Sequence, residues 1–139
     1  MIDQHKIAVI EDDIPICDMY KMKLSTSGYE VRTAHNGEEG SALVELFQPD
    51  LILLDIRMPI MSGDVMLEKI RATDWGAKPR VIILTNISKD EAPHGLRVLN
   101  VDRYIVEAHH PTAQVRDVVK EVLGGPNNVA EYRYGKDRT

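Results

Sequence analysis

The stretch Leu51-Ile52-Leu53-Leu54-Asp55-Ile56-Arg57-Met58-Pro59-Ile60-Met61-Ser62-Gly63 decides how the whole chain is read. Four apolar residues run straight into an aspartate, followed by a loop punctuated by Pro59 and Gly63. A short apolar run bounded by turn chemistry predicts a strand buried on both faces. An earlier run, Ile7-Ala8-Val9-Ile10, also ends on acids, Glu11-Asp12-Asp13. If both runs are parallel strands of one sheet, Asp12, Asp13 and Asp55 emerge at the same edge. Three like charges that close are costly unless a cation joins them. The pattern therefore predicts a divalent metal site with one aspartate left over for chemistry.

Working outward, the chain alternates strand and helix. Strands are predicted over Lys6–Ile10, Tyr29–Ala34, Leu51–Leu54, Arg80–Leu84 and Tyr104–Val106. Helices are predicted between and after them. The first covers Ile14 to Ser27, with Ile14, Cys17, Met19, Tyr20 and Leu24 near helical spacing and Pro15 in its first turn. The second covers Glu38 to Phe47, with Ala42, Leu43, Leu46 and Phe47 as its stripe; the third covers Asp64 to Ala72, using Val65, Met66, Leu67 and Ile70. A fourth over Ser88–Leu99 is weakened by Pro93 and Gly95, and a fifth runs from Pro111 to Leu123. Five strand–helix units with nearly all-apolar strands imply helices on both sheet faces. This is a flavodoxin-like (βα)5 doubly wound parallel α/β sheet of strand order 2-1-3-4-5. In that order the ligand crevice lies beyond the ends of the first and third strands, where Asp12, Asp13 and Asp55 fall. Thr85 and Glu107 join them at the ends of the fourth and fifth strands.

The totals fit one domain. The chain has 139 residues, 43% hydrophobic and 28% charged, enough for a proper core. Residues 1–123 form the expected domain, and 124–139 a polar tail or the start of a linker. The net charge of −5 argues against nonspecific nucleic-acid binding, and aromatics at 5% argue against base-stacking platforms. Cys17 is the single cysteine, so no disulfide framework or cysteine metal cluster is available. No apolar run approaches the roughly 20 residues that span a bilayer, and no signal-peptide apolar region opens the sequence. The expected compartment is a reducing cytoplasm. His109 and His110 lack a partner at helical spacing and read as solvated residues rather than zinc ligands.

These features together resemble the receiver domain of bacterial two-component response regulators. The residues that carry the resemblance are Glu11-Asp12-Asp13, the stretch from Asp55 to Gly63, Thr85 and Tyr104, in order and at the expected spacing. The resemblance spans roughly residues 6 to 123. It implies that Asp55 accepts a phosphoryl group from a histidine-kinase phosphohistidine, a phosphotransfer protein or a small phosphodonor. It implies that Asp12 and Asp13 hold Mg²⁺, for which Mn²⁺ can substitute, with Asp55 and the backbone carbonyl of Arg57 completing the oxygen set. Such a cation neutralises crowded acids and orients the phosphoryl group. Thr85 resembles the hydroxyl that bonds a phosphoryl oxygen. Tyr104 resembles the aromatic that turns inward when the threonine moves. The pair would relay the signal to the face of the fourth helix, fifth strand and fifth helix, where a downstream protein or a second copy docks. Self-phosphorylation and autodephosphorylation follow, rather than turnover of a substrate.

Glu107 departs from the family, which carries lysine there. The ammonium that normally pairs with the phosphoryl group is replaced by a carboxylate. Three consequences stay open: Glu107 repels the phosphoryl group, or points outward and weakens coupling, or recruits metal or a basic partner residue. The reading favoured is a receiver that keeps metal binding and phosphoacceptance with impaired output coupling. The alternative is a degenerate receiver that binds partners without phosphate. A nucleotide or flavin binder is disfavoured, because no Gly-Xaa-Gly-Xaa-Xaa-Gly turn or Walker A loop follows the first strand. No DNA-binding motif follows the receiver unit.

Overall fold

A computed structural model describes residues 5–107 and 112–124. Five parallel strands, β1 (Lys6–Ile10), β2 (Glu30–Ala34), β3 (Leu51–Leu54), β4 (Arg80–Thr85) and β5 (Arg103–Val106), form one sheet of order β2-β1-β3-β4-β5. The helices are α1 (Ile14–Thr26), α2 (Gly37–Phe47), α3 (Gly63–Arg71) and α4 (Thr112–Gly124). The flavodoxin-like fold and its strand order are those the sequence predicts. The polar tail from Gly125 onward, His109 and His110 lie outside the described residues.

The sheet is buried on both faces, with period-two alternation within each strand. Ile7 and Val9 join Leu51, Leu53, Ile82 and Leu84 under α1 and α4. Ala8 and Ile10 join Ile52, Leu54, Val81 and Ile83 under α2 and α3. The register Ile10↔Leu54 brings the ends of β1 and β3 level. That places Glu11-Asp12 beside Asp55.

Several expected faces are rotated. On α1, Cys17, Tyr20 and Leu24 are buried, but Ile14 and Met19 are exposed. On α2 the buried face is Gly37, Gly40, Val44 and Phe47, and Leu46 is 82% exposed. Close packing explains that rotation. A Cβ on Gly40 would lie 2.8 Å from the Met66 sulfur and 2.9 Å from an Ile10 methyl. The bare glycine edge can approach the sheet where a leucine cannot. On α3, Met66, Leu67 and Ile70 are inward while Val65 is 42% exposed. Cys17 is fully buried, and burial pushes its thiol up to about 11, which leaves it unreactive.

The expected fourth helix does not form. Residues 88–99 instead make two short 3-10 turns, Lys89–Glu91 and His94–Val98. Ala92 between them is extended and precedes Pro93, whose ring disfavours helical geometry in the preceding residue. Gly95 adds no side chain to repair the break.

Arg71, the last residue of α3, ties this irregular segment down. Its Nε donates to the Leu99 carbonyl (2.9 Å) and its Nη2 to that of Asn100 (3.1 Å). Its Nη1 donates to the carbonyls of Gly76, Ala77 and Pro79 at 3.1, 3.1 and 2.8 Å. One guanidinium thus holds together the loop before β4 and the loop before β5. Arg71→Ala is expected to cost about 2–3 kcal/mol, because charged hydrogen bonds are lost and part-buried carbonyls are left unpaired. Urea unfolding measures it. A change within about 0.5 kcal/mol, ordinary for a surface residue, would contradict this role.

Candidate functional site: an acidic cavity at the ends of the strands

A cavity of about 330 Å³ opens at the carboxyl ends of the strands, lined by Glu11, Asp12, Asp13, Ile16, Asp55, Arg57, Thr85, Asn86, Ile87 and Glu107. Sheet continuity positions its acids. The Glu11 amide donates to the Ala34 carbonyl (3.0 Å), and the Asp55 amide donates to the Ile10 carbonyl (3.0 Å). The backbone beyond both strands is therefore still paired when the carboxylates emerge. The Ile56 amide donates to Asp55 Oδ1 at 2.8 Å and fixes that carboxylate.

Glu11, Asp12 and Asp55 each offer a carboxylate oxygen, and these oxygens lie within 4.8 Å of one another. This trio differs from the expected one. Asp13, read from sequence as a metal-holding acid, lines the cavity but is engaged as the N-cap of α1. Its Oδ1 accepts from the Ile16 amide at 3.1 Å. Glu11 is buried, and its Oε2 accepts from the Asp13 amide at 3.2 Å. Asp13 immediately before Ile14-Pro15 is a readable cap signal.

The trio's donor chemistry fits a hard divalent cation, which takes carboxylate and carbonyl oxygens. Burial, and after it the charge of Asp55, push the Glu11 carboxyl up to about 9. Burial also raises the Asp55 carboxyl, against a hydrogen bond from Thr85 that lowers it. These acids have folded-state values above their ordinary ones. Their stabilising contribution is fully present below the unfolded value and is lost as pH rises through the folded one. For Glu11 that window runs from 4.5 to about 9. The metal-free protein should lose stability across this range, on the order of a few kcal/mol, and added Mg²⁺ should flatten the profile. Thermal unfolding against pH, with and without Mg²⁺, checks it. A flat metal-free profile would contradict the burial of the Glu11 carboxyl.

Thr85 is 2% exposed, and its Oγ1 accepts from the Ile87 amide at 3.5 Å. Tyr104 is buried, with its hydroxyl donating to the Ile87 carbonyl at 2.6 Å. The expected switch pair thus converges on one residue, Ile87, at the start of the irregular segment after β4. Glu107 is half-buried and lines the same cavity. Burial raises its carboxyl, and the charges of Asp55 and then Asp13 push it the same way. Arg57 is exposed at the cavity's edge. Among the described residues, the cavity lining holds five carboxylates and one basic side chain.

The response regulator receiver domain family model matches residues 7–119. The chain belongs to the two-component response-regulator receiver domain family, with a CheY-like fold. It is 33% identical over 124 residues to a probable transcriptional regulator, ycf27, of Cyanophora paradoxa, covering 86% of this chain and 50% of that one. The chain spans about half or less of the length of the curated relatives it matches. Among solved structures it resembles a CheY-like receiver domain protein of Methanospirillum hungatei (TM-score 0.75, 28% identity, 88% and 95% of the chains). It shares its fold with the chemotaxis response regulator CheY4 of Vibrio cholerae (TM-score 0.78, 23% identity, 86% and 99%). No helix among the described residues is long and apolar enough to cross a membrane.

Proposed function

We propose that this receiver domain takes a phosphoryl group on Asp55 in a reaction assisted by Mg²⁺ or Mn²⁺. The observation that carries the reading is the convergence of Glu11, Asp12 and Asp55 within one cavity that also holds Thr85. Glu11, Asp12 and Asp55 would hold the cation, with the Arg57 carbonyl as a further oxygen donor. The bound cation supplies charge neutralisation for the incoming phosphoryl group. Asp55 supplies the attacking oxygen, pinned by the Ile56 amide. Attack forms the Asp55 oxygen–phosphorus bond as the donor's bond to phosphorus breaks and its electron pair leaves with the donor. The Thr85 hydroxyl would donate to a phosphoryl oxygen. Donor partners are a histidine kinase or a phosphotransfer protein, acting in a cytoplasmic compartment. The output partner docks on the face of β5, α4 and the irregular segment between β4 and β5, where a homodimer could also form.

The test mixes the protein with acetyl phosphate in Mg²⁺ or in excess chelator and follows the mass gain. Rapid gain in Mg²⁺ and little in chelator is the expected result. Equal gain in both would contradict the metal's role.

Glu107 favours a second reading, a receiver that binds partners without phosphate. A phosphoryl dianion in this cavity meets a carboxylate where the family supplies an ammonium. Glu107→Lys is expected to raise phosphorylation at fixed donor and time by on the order of tenfold, one charge-assisted contact's worth. An unchanged yield together with an unchanged structural response would favour the phosphate-independent reading.

A further inference from the structure

Among the described residues, Arg57 is the one basic side chain in a cavity lining that also carries five carboxylates. Glu107 stands where the family places a lysine, so the end of β5 offers no ammonium to a phosphoryl group on Asp55. Transfer adds negative charge to a cavity that is already acidic. A divalent cation offsets part of that charge. The charge that the family's lysine supplies must come from elsewhere in this chain or be missing.

Arg57 combines a fixed base with a free tip. On one side of it Ile56 is buried, its amide donating to Asp55 Oδ1 (2.8 Å) and its carbonyl accepting from the Gly63 amide (2.7 Å). On the other side Met58 packs against the core. The side chain therefore starts from a backbone position locked to the acceptor, two residues after it. Arg57 itself is exposed and makes no hydrogen bond, ion pair or ring contact with any described residue. Every other described arginine is engaged. A guanidinium that holds nothing in the free protein breaks no bond when it closes on a ligand.

We propose that the Arg57 side chain binds the phosphoryl group on Asp55, supplying in this chain the positive charge that Glu107 does not. This rests on the phosphoacceptor reading of Asp55. A phosphoryl group has three terminal oxygens. The divalent cation and the Thr85 hydroxyl each take one, which leaves the third for Arg57. A planar guanidinium fork suits that oxygen and can give it two N–H donors. Arg57 keeps all its protons; only hydrogen bonds form. Ordering a long exposed side chain costs entropy. Arg57 therefore replaces less than a preorganised ammonium would supply, and Glu107→Lys still raises the yield.

The test is a double-mutant cycle on wild type, Arg57→Gln, Glu107→Lys and the double variant. The initial rate of labelling by acetyl phosphate at saturating Mg²⁺ is read by intact mass. Glutamine removes the charge and keeps the backbone carbonyl. Arg57→Gln should label about tenfold slower than wild type, as for one lost charge-assisted contact. With Glu107→Lys present, the same change should cost less than about threefold, because the introduced ammonium already holds the oxygen. The melting temperature should not fall in Arg57→Gln, since the side chain bonds nothing in the free protein. Equal labelling of wild type and Arg57→Gln overturns the proposal. The same factor lost in both backgrounds also overturns it, because Arg57 would then only attract the anionic donor. So does labelling of Glu107→Lys when wild type takes no label. Labelling of none of the four proteins removes the reading of Asp55, and this role of Arg57 falls with it.

Discussion

Asp55→Asn is expected to abolish stable incorporation of a phosphoryl group while leaving the fold intact. The amide keeps the size of the carboxylate, and its oxygen can still accept from the Ile56 amide. It loses the nucleophilic oxygen that forms the acyl phosphate. The same change should stabilise the metal-free protein near neutrality. Burial disfavours the charged form of Asp55, and its charge is one of the causes that push Glu11 up. A neutral amide removes both costs. Intact-mass spectrometry after acetyl phosphate treatment and a thermal melt read the two effects together. Wild-type labelling in Asp55→Asn would mean that another residue is the acceptor.

Gly63→Ala is expected to damage fold and site at once. A Cβ at Gly63 would lie 2.0 Å from the Asp55 carbonyl oxygen, 3.0 Å from its carbon and 3.2 Å from the Ile56 Cα. All are backbone atoms, so no side chain can rotate away. Relief requires moving the start of α3 off the end of β3, which breaks the 2.7 Å bond from the Gly63 amide to the Ile56 carbonyl. A loss of about 3–5 kcal/mol follows, at the upper end for overpacking. Any folded remnant should phosphorylate poorly, because the backbone that carries Asp55 must shift. Urea unfolding of the variant measures the loss. A cost below about 1 kcal/mol, no more than a typical point substitution, would contradict so close an approach.

The fold could be read from apolar runs that end on acids, because buried parallel strands leave few other places for such residues. Turn chemistry was also readable, and Pro93 with Gly95 already flagged the weak fourth crossover. Its replacement by 3-10 turns depends on Ala92 standing before a proline, a local restriction that helical periodicity does not register. The helix faces were less readable. Leu46 was expected inward, yet Gly37 and Gly40 set the face, because close approach outweighs hydrophobicity there. In the site, position alone placed Asp12 and Asp55 at one sheet edge, and the structure brings their carboxylates together. Adjacent aspartates drew the sequence reading to Asp12 and Asp13, whereas in the fold Glu11 lies with Asp12 and Asp55 and Asp13 caps α1.

The central claim concerns where the phosphoryl group goes. An acyl phosphate on aspartate is reduced by borohydride to homoserine, which marks its position permanently. The protein should be treated with acetyl phosphate and Mg²⁺, reduced, digested and sequenced by tandem mass spectrometry. Homoserine at position 55, absent when chelator replaces Mg²⁺, is the predicted result. Homoserine at Asp12 or Asp13, or none at any position, would contradict the assignment of Asp55 as the acceptor.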